Sequence, residues 1–467
     1  MPEYTDMENI EKLTHAELVE LVIKLCKVIE ELKVENEELK LKLAQNSSNS
    51  SNPPSSDGPK KPPAISLRAK SGKKPGGQAG HKGSGLKIDR KPDVTVVVEP
   101  SKCACGCDLA DEPTFHADTR YVYDVDVAVT LTKYDIREAV CPECADTVAP
   151  EMPAECGGTI NYGHTLRALC VVLTQYACVG IDKTHKILRD LIGLPISTGT
   201  IKNIQSQFAG LTGETMEAIK QSLLKSPVVN ADETGARVNG KTQWIHVASN
   251  AKYTLLTVHQ KRGGEGSAAG GVLPEYAGTL VHDFWRAYFG FDKCRHAVCC
   301  AHLLRELNAL IETGKHEWAS EMKKLLLEMK KAVEGYKSED KSELSRYYKN
   351  KFKAKYEDCI QRAKSSIVQS ATRKKTKAEN LLRRLDEYRA EVTRFTEDFA
   401  VPFDNNQAER DIRNVKVKQK VTGGHRTFDG AVEYANTMSV LGTAVKFGQS
   451  VFNAVRGLFA GVAPNFT

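Results

Sequence analysis

The apolar positions of the chain change spacing several times, and each spacing predicts a different element. Leu18, Leu25, Leu32 and Leu39 recur every seven residues, and Val22, Ile29, Asn36 and Leu43 follow each of them by four. Leucine at d with β-branched residues and one Asn at a predicts a parallel two-stranded coiled coil in residues 1–45, with Asn36 fixing its register. From Val94 to Val148 apolar and polar residues alternate, as in "DVTVVVEP" and "YVYDVDVAVTLTKYDIREAV", which predicts strands. Residues 161–225 have helical spacing in three runs, and Ser197 or Thr198 caps the helix that starts near Thr200. From Pro227 to Cys300 short apolar runs ("PVVNAD", "TQWIHVAS", "YTLLTVHQ", "GTLVHDF", "HAVCCAH") predict an α/β region, and a helix opens at "AHLLRELNALIE". About ninety charged, helix-rich residues follow, 310 to 400, before "FDNNQAER", where Asp404 is placed as the cap of another helix.

These changes divide the chain into a coiled coil (1–45), a disordered basic linker (46–92), a zinc-binding β segment (93–155), a helical segment with a possible helix-turn-helix (156–226), a catalytic α/β core with a helical insertion at about 310–400 (227–445), and a C-terminal tail (446–467). The fold class is multidomain α+β/α/β. The linker rests on "QNSSNSSNPPSSDGPKKPP", whose composition cannot bury a core. Residues 60–91 then carry ten Lys or Arg against one Asp. Lys73, Lys74, His81 and Lys82 stand there beside the glycines of "PGGQAGHKG" and are candidate phosphate contacts, with a solvated basic linker as the plainer account.

Thirteen cysteines raise the question of disulfides. The N-terminus is acidic and has no apolar signal core, which predicts a cytoplasmic protein, and "CACGC" and "CPEC" then read as metal knuckles. Cys103 and Cys105, with Cys107 as the alternative, and Cys141 with Cys144 would close a structural tetrahedral Zn2+ site.

Asp232 follows the apolar run of the first α/β strand, Asp283 follows a later one, and Glu409 lies on a helix beyond the insertion. Three carboxylates from two strand ends and a helix suit a pair of Mg2+ or Mn2+ ions, which take oxygen ligands and clamp the attacking and leaving oxygens of a phosphoryl displacement. Glu233 would point to the opposite face from Asp232. His302 and Arg305 share a helical face and could reach a substrate phosphate near Asp283. Trp244 and Trp285 read as core aromatics, and Trp285 has base stacking as its alternative.

With these stretches in place, the chain resembles the transposases of the insertion-sequence-66 family, a group of bacterial DDE transposases. The resemblance rests on "NSSNSSNPPSSDGPKKP" with "KKPGGQAGHKG", the two cysteine knuckles, "ADETGARVNGKTQWIHV", "LVHDFWRAYFGF" with "CCAHLLREL", and "FDNNQAERDIRNVKVKQKVTGG". It implies a ribonuclease-H-like core with Asp232, Asp283 and Glu409 as its acid triad. It also implies DNA (element ends and target) as partner, cleavage at the element ends followed by strand transfer, and small accessory proteins. The coiled coil predicts a homodimer. Arg305, Arg410, Arg413, Lys416, Lys418, Lys420 and Arg426 are candidate DNA contacts on charge alone. The competing readings are a domesticated, non-catalytic DNA-binding regulator and a nuclease on the same fold without strand transfer.

Overall fold

The computed structural model describes residues 14–43, 88, 90–125, 127–152, 157–312, 316–367 and 375–466. The basic arm with Lys73, Lys74, His81 and Lys82 lies outside them. The chain divides into two units, residues 63–130 and the remainder.

In the remainder, helix α1 (His15–Leu43) presents the heptad pattern on one continuous helix. Its Val22, Leu25, Ile29, Leu32 and Leu39 are all roughly half exposed. The alternating segment differs from expectation. In the unit 63–130 the described chain forms no ladder, and Val96, Val98 and Val122 are strongly exposed. Past it, only β1 (Ala139–Val140) and β2 (Thr147–Val148) pair, as a short antiparallel hairpin. Alternation supplies one apolar face per strand, and a strand settles only when another element covers that face. Nothing among the described residues of that unit covers these.

The helical segment comprises α2 (His164–Val171) with a π-helical turn at Val172–Tyr176, α3 (Ile181–Ile192), α4 (Thr198–Leu211) and α5 (Gly213–Leu224). Gly193 ends α3 in the left-handed region and Ser197 caps α4, its Oγ accepting from Thr200 N. The third expected helix is two, broken at Thr212, whose hydroxyl donates back to Ala209 O.

Five strands form one mixed sheet: β3 (Val228–Val238), β4 (Lys241–Ser249), β5 (Thr254–His259), β6 (Thr279–His282) and β7 (Arg295–Val298), in the order β5-β4-β3-β6-β7. β3, β4 and β5 form an antiparallel meander, and β6 and β7 add in parallel beside β3. Short α6 (Gly264–Ala268) follows β5. β3 does not end at Asp232. It runs on to Val238 and turns into β4 through Asn239 and Gly240, both at positive φ. That pair is a tight hairpin turn whose twist matches the strands, so it carries β3 past the acid.

Helices cover the sheet. α7 (Cys300–Glu312), α8 (Glu317–Ser338), α9 (Arg346–Ser366), α10 (Lys377–Glu387) and α11 (Arg389–Glu397) share one apolar core with Val228, Val281, Ala297 and Val298. These helices occupy the stretch in which the sequence predicts a helical insertion. The other core joins α2–α5 and the remaining strand residues to α12 (Asn406–Thr422), α13 (Phe428–Lys446) and α14 (Val451–Phe459). The C-terminal residues are therefore more than a tail. α14 buries Val455, Leu458 and Phe459, and Phe459 packs on Phe208 with ring centroids 5.5 Å apart. No described helix is long and apolar enough to cross a membrane.

Candidate active site

The parallel register of β3 and β6 brings the two aspartates to equivalent places. The last paired rung is Asn230↔Val281, and Asp232 and Asp283 each lie two residues beyond it. Side chains alternate along a strand, so the two carboxylates follow Asn230 and Val281 on neighbouring strands about 4.8 Å apart. β6 stops at His282, which leaves Asp283 in the crevice at the carboxyl end of a parallel pair, a common place for ligands on such sheets.

Glu409 comes from the first turn of α12. Asn405, fully buried, fixes where that turn begins. Its Nδ2 donates to Ala231 O (2.8 Å), its Oδ1 accepts from Asn230 Nδ2 (2.9 Å), and its backbone N donates to Cys299 Sγ (3.2 Å). One side chain thus ties the start of the glutamate helix to the strand that carries Asp232, and its backbone ties it to the end of β7. Asp404 Oδ1 accepts from Asn406 N at 3.1 Å, while Asn405 at the cap position turns its amide inward instead of capping. Asp404 is therefore not the cap it was expected to be: it lies one residue before the cap position and braces the helix entry by accepting from Asn406 N.

The carboxylates feel one another. Burial pushes Asp232 well above the usual carboxylate range, reinforced by the charges of Glu233, Asp283 and Glu409, against one stabilising bond from Glu233 N. Burial raises Asp283 to about 6, although Trp285 N donates to its Oδ1 at 2.9 Å. Two carboxyls with raised proton affinity in one crevice are groups that a divalent cation would relieve. Glu409 Oε1 is buried without a hydrogen-bond partner.

α7 supplies the rest of this wall. His302 Nδ1 lies 4.0 Å and Arg305 Nη2 3.7 Å from Glu409 Oε1, so the shared helical face expected for them turns toward the acids. One atom each from Cys299, His302 and Glu409 falls within 4.8 Å of the others. Burial pushes the Cys299 thiol up to about 12, which keeps it protonated and a poor ligand.

Glu233 is buried on its own partners. Tyr288 Oη donates to its Oε2 and Arg262 pairs with its Oε1 at 2.8 Å. The Arg262 guanidinium sits between the rings of Trp244 and Trp285, 5.0 and 4.5 Å from their centroids. Both tryptophans are partly exposed and clasp a cation, so neither is a plain core aromatic. Sequence reasoning missed Asn405, Arg262 and Tyr288 as parts of the site. Asn405 stood in "FDNNQAER" and Tyr288 in "LVHDFWRAYFGF", both singled out for their acids; for Arg262, in "HQKRGGEG", no pattern marked a role.

Among the basic candidates the structure separates two groups. Arg410, Arg413, Lys420 and Arg426 are exposed on α12 and just beyond it, while Lys416, also exposed, bends its Nζ onto Gly235 O. Lys418 is buried: its Nζ donates to Thr174 O at 2.6 Å. Alternate positions of a helix face opposite ways, and Lys418 falls on the side that packs on the helical segment, which removes it from the DNA contacts. Lys418→Ala is expected to cost about 1–3 kcal/mol by leaving that carbonyl unpaired, seen as a lower urea midpoint, with the salt dependence of DNA binding unchanged. Lys420→Ala should do the reverse and lower the salt slope by about one charge.

Each cysteine knuckle is a tight turn. In the first, Cys103 N donates to Cys107 O and Gly106 N to Cys103 O. In the second, between β1 and β2, Cys141 N donates to Asp146 O and Ala145 N to Cys141 O. Backbone and cysteine donors lower the thiols of Cys105 and Cys141, which favours thiolate at those two positions.

No curated protein matches the chain. A family described as "Family of unknown function (DUF6444)" matches residues 2–87. The family described as "Transposase IS66 family" matches residues 159–433, which contain the sheet, both aspartates, Asn405 and Glu409. That match covers more than half of the 467 residues, and the chain belongs to the Transposase IS66 family.

Proposed function

We propose that the chain is a DDE transposase with a ribonuclease-H-like core, in which Asp232, Asp283 and Glu409 hold two divalent cations, Mg2+ or Mn2+. The observation that carries this reading is the placement of Asp232 and Asp283 two residues past the same rung of a parallel pair, with the first turn of α12 tied to that strand. The antiparallel meander extended by two parallel strands supports the fold assignment. The donor set fits the ions: hard, anionic oxygens with raised proton affinity, and one buried oxygen without a partner. When bound, such a pair of ions stabilises the attacking and leaving oxygens of an in-line displacement.

The chain's own residues do the positioning. Trp285 N and Glu233 N each hold one oxygen of an aspartate, which fixes the direction of the other. Asn405 sets the depth of Glu409. Arg305, with Arg410, Arg413, Lys420 and Arg426, offers cations to a DNA backbone, and α3 exposes Lys183 and Lys186. No protein nucleophile is needed: water attacks at the element end, and the freed 3′-hydroxyl attacks target DNA. Pairing of α1 through its half-exposed leucine seam would bring two protomers, and so two DNA ends, into one complex.

The test is a strand-transfer assay with the full chain, labelled duplex carrying the element's ends, a target plasmid, and Mg2+ or Mn2+. Joined products are expected. Cleavage without joining would identify a nuclease, and specific binding without cleavage under both ions would leave a regulator.

A further inference from the structure

The acid site has one donor that the three carboxylates do not account for. His302 Nδ1 and Glu409 Oε1 are both buried, both without a hydrogen-bond partner, and 4.0 Å apart. That is too far for them to bond each other. Buried polar atoms are rarely left unpaired, and a facing pair left so marks a place for a bridging group. Two donors held at about 2.1 Å by one ion stand about 3 Å apart when adjacent and about 4.2 Å apart when opposite, so the observed separation is within reach of a shared cation. The third neighbour, Cys299, is already engaged by Asn405 N. Arg305 Nη2, 3.7 Å from the same glutamate oxygen, holds a positive charge beside it.

We propose that His302 joins Glu409 as a ligand of one divalent cation through Nδ1, making that position a mixed nitrogen–oxygen site that prefers Mn2+ to Mg2+. The inference rests on the acid-site reading above and adds a residue to it. Imidazole is a softer donor than carboxylate, and Mg2+ prefers an all-oxygen shell, so a nitrogen at this position tilts selectivity toward the transition ion. The spacing in "CAHLLREL" puts His302 and Arg305 three residues apart on α7, so that when the ion enters through His302, Arg305 on the same face is released toward a phosphate.

The experiment is metal binding by the full-length protein without DNA. Mn2+ would be titrated while free ion is counted by electron paramagnetic resonance, with Mg2+ as competitor, and bound Mn2+ examined by pulsed resonance for nitrogen coupling. Wild type is expected to show imidazole nitrogen coupling. His302→Gln, which replaces the nitrogen by an oxygen, is expected to lose that coupling and to bind Mn2+ about 10-fold more weakly, while its affinity for Mg2+ changes less and its melting temperature in chelator is unchanged. Glu409→Gln should weaken both ions. Bound Mn2+ without nitrogen coupling, but still dependent on Glu409 and Asp232, overturns the histidine ligand and leaves the acid site standing. Mn2+ binding indifferent to Asp232→Asn and Glu409→Gln, or no binding by wild type, overturns both. The nitrogen signal is read on wild type, so the result does not depend on the variant folding.

Discussion

Asp232→Asn and Asp283→Asn proteins are expected to lose strand cleavage and joining by on the order of a thousand-fold or more, the scale of removing one preorganised electrostatic element, and yet to melt higher than wild type in chelator at pH 7.5. The two effects have one cause. Both carboxyls are buried beside other acids, and their ionised forms are disfavoured in the metal-free fold. For Asp283 the carboxyl ionises near 3.8 when exposed and at about 6 in place. Between those values the folded protein holds a proton that the unfolded chain has released, so stability falls as pH rises across that window. Below pH 4 both states are protonated and the contribution is intact; above pH 6 it is lost, and the difference corresponds to at most about 3 kcal/mol. Asparagine has no charge to bury, so the stability gap between Asp283→Asn and wild type should open from pH 4 to pH 6 and then stay level. Asp232 shifts in the same direction, so Asp232→Asn should open a gap of the same sign. Added Mn2+ at pH 7.5 should raise the melting temperature of wild type and leave the two variants nearly unmoved. Melting curves across pH, with and without Mn2+, check this. Variants that melt lower than wild type in chelator at neutral pH would mean that these acids are structural.

Much of this site was readable because its parts are chemically loud. A bare acid after an apolar run draws the eye at Asp232 and again at Asp283, and "DNNQAER" marks Glu409. The helix carrying His302 and Arg305 is legible in "AHLLRELNALIE", and their three-residue spacing puts them on one face. The errors came where one residue's meaning depends on distant partners. Asp232 reads as a strand end because it follows an apolar run, yet Asn239 and Gly240 hold the signal for a hairpin that carries β3 six residues further. Lys418 looked like its neighbours in a basic strip, and only the packing of α12 against Thr174 distinguishes it. Arg262 becomes part of the site because the sheet brings Trp244, Trp285 and Glu233 around it, and those lie 18 residues before, 23 after and 29 before it in the sequence. The alternating segment at 94–136 shows the opposite limit: the local pattern is plain, but among the described residues no element covers it.

Asn405→Leu is the variant that should separate architecture from chemistry. Leucine is close in volume, so the change removes hydrogen bonds and leaves the packing nearly filled. It strands Asn230 Nδ2 and Ala231 O, both in the interior, and each unpaired buried group costs about 1–3 kcal/mol. The expected loss is therefore about 2–4 kcal/mol, read from the midpoint of urea unfolding. The effect should not stop at stability. With its amide gone, α12 is held to the sheet by its apolar face (Ala408, Ile412 and Val415), by Lys416 Nζ on Gly235 O and by the backbone bond from residue 405 to Cys299 Sγ. Glu409 is one turn away from the lost contact, and a displacement of about 1 Å can cost about a hundred-fold in rate. Cleavage should thus fall in Asn405→Leu even at temperatures where the protein is fully folded, and affinity for Mn2+ should fall with it, although the residue touches no ion. Asn230→Ala is the control from the other side of the contact. It removes one of the two bonds but leaves Asn405 attached to Ala231 O, so it should show a smaller stability loss and keep most of the metal affinity. Equal effects from the two variants would mean that the bracket acts only by general stabilisation. A larger effect from Asn405→Leu on metal affinity, at matched stability, would identify this amide as what aims the glutamate helix at the strand acids.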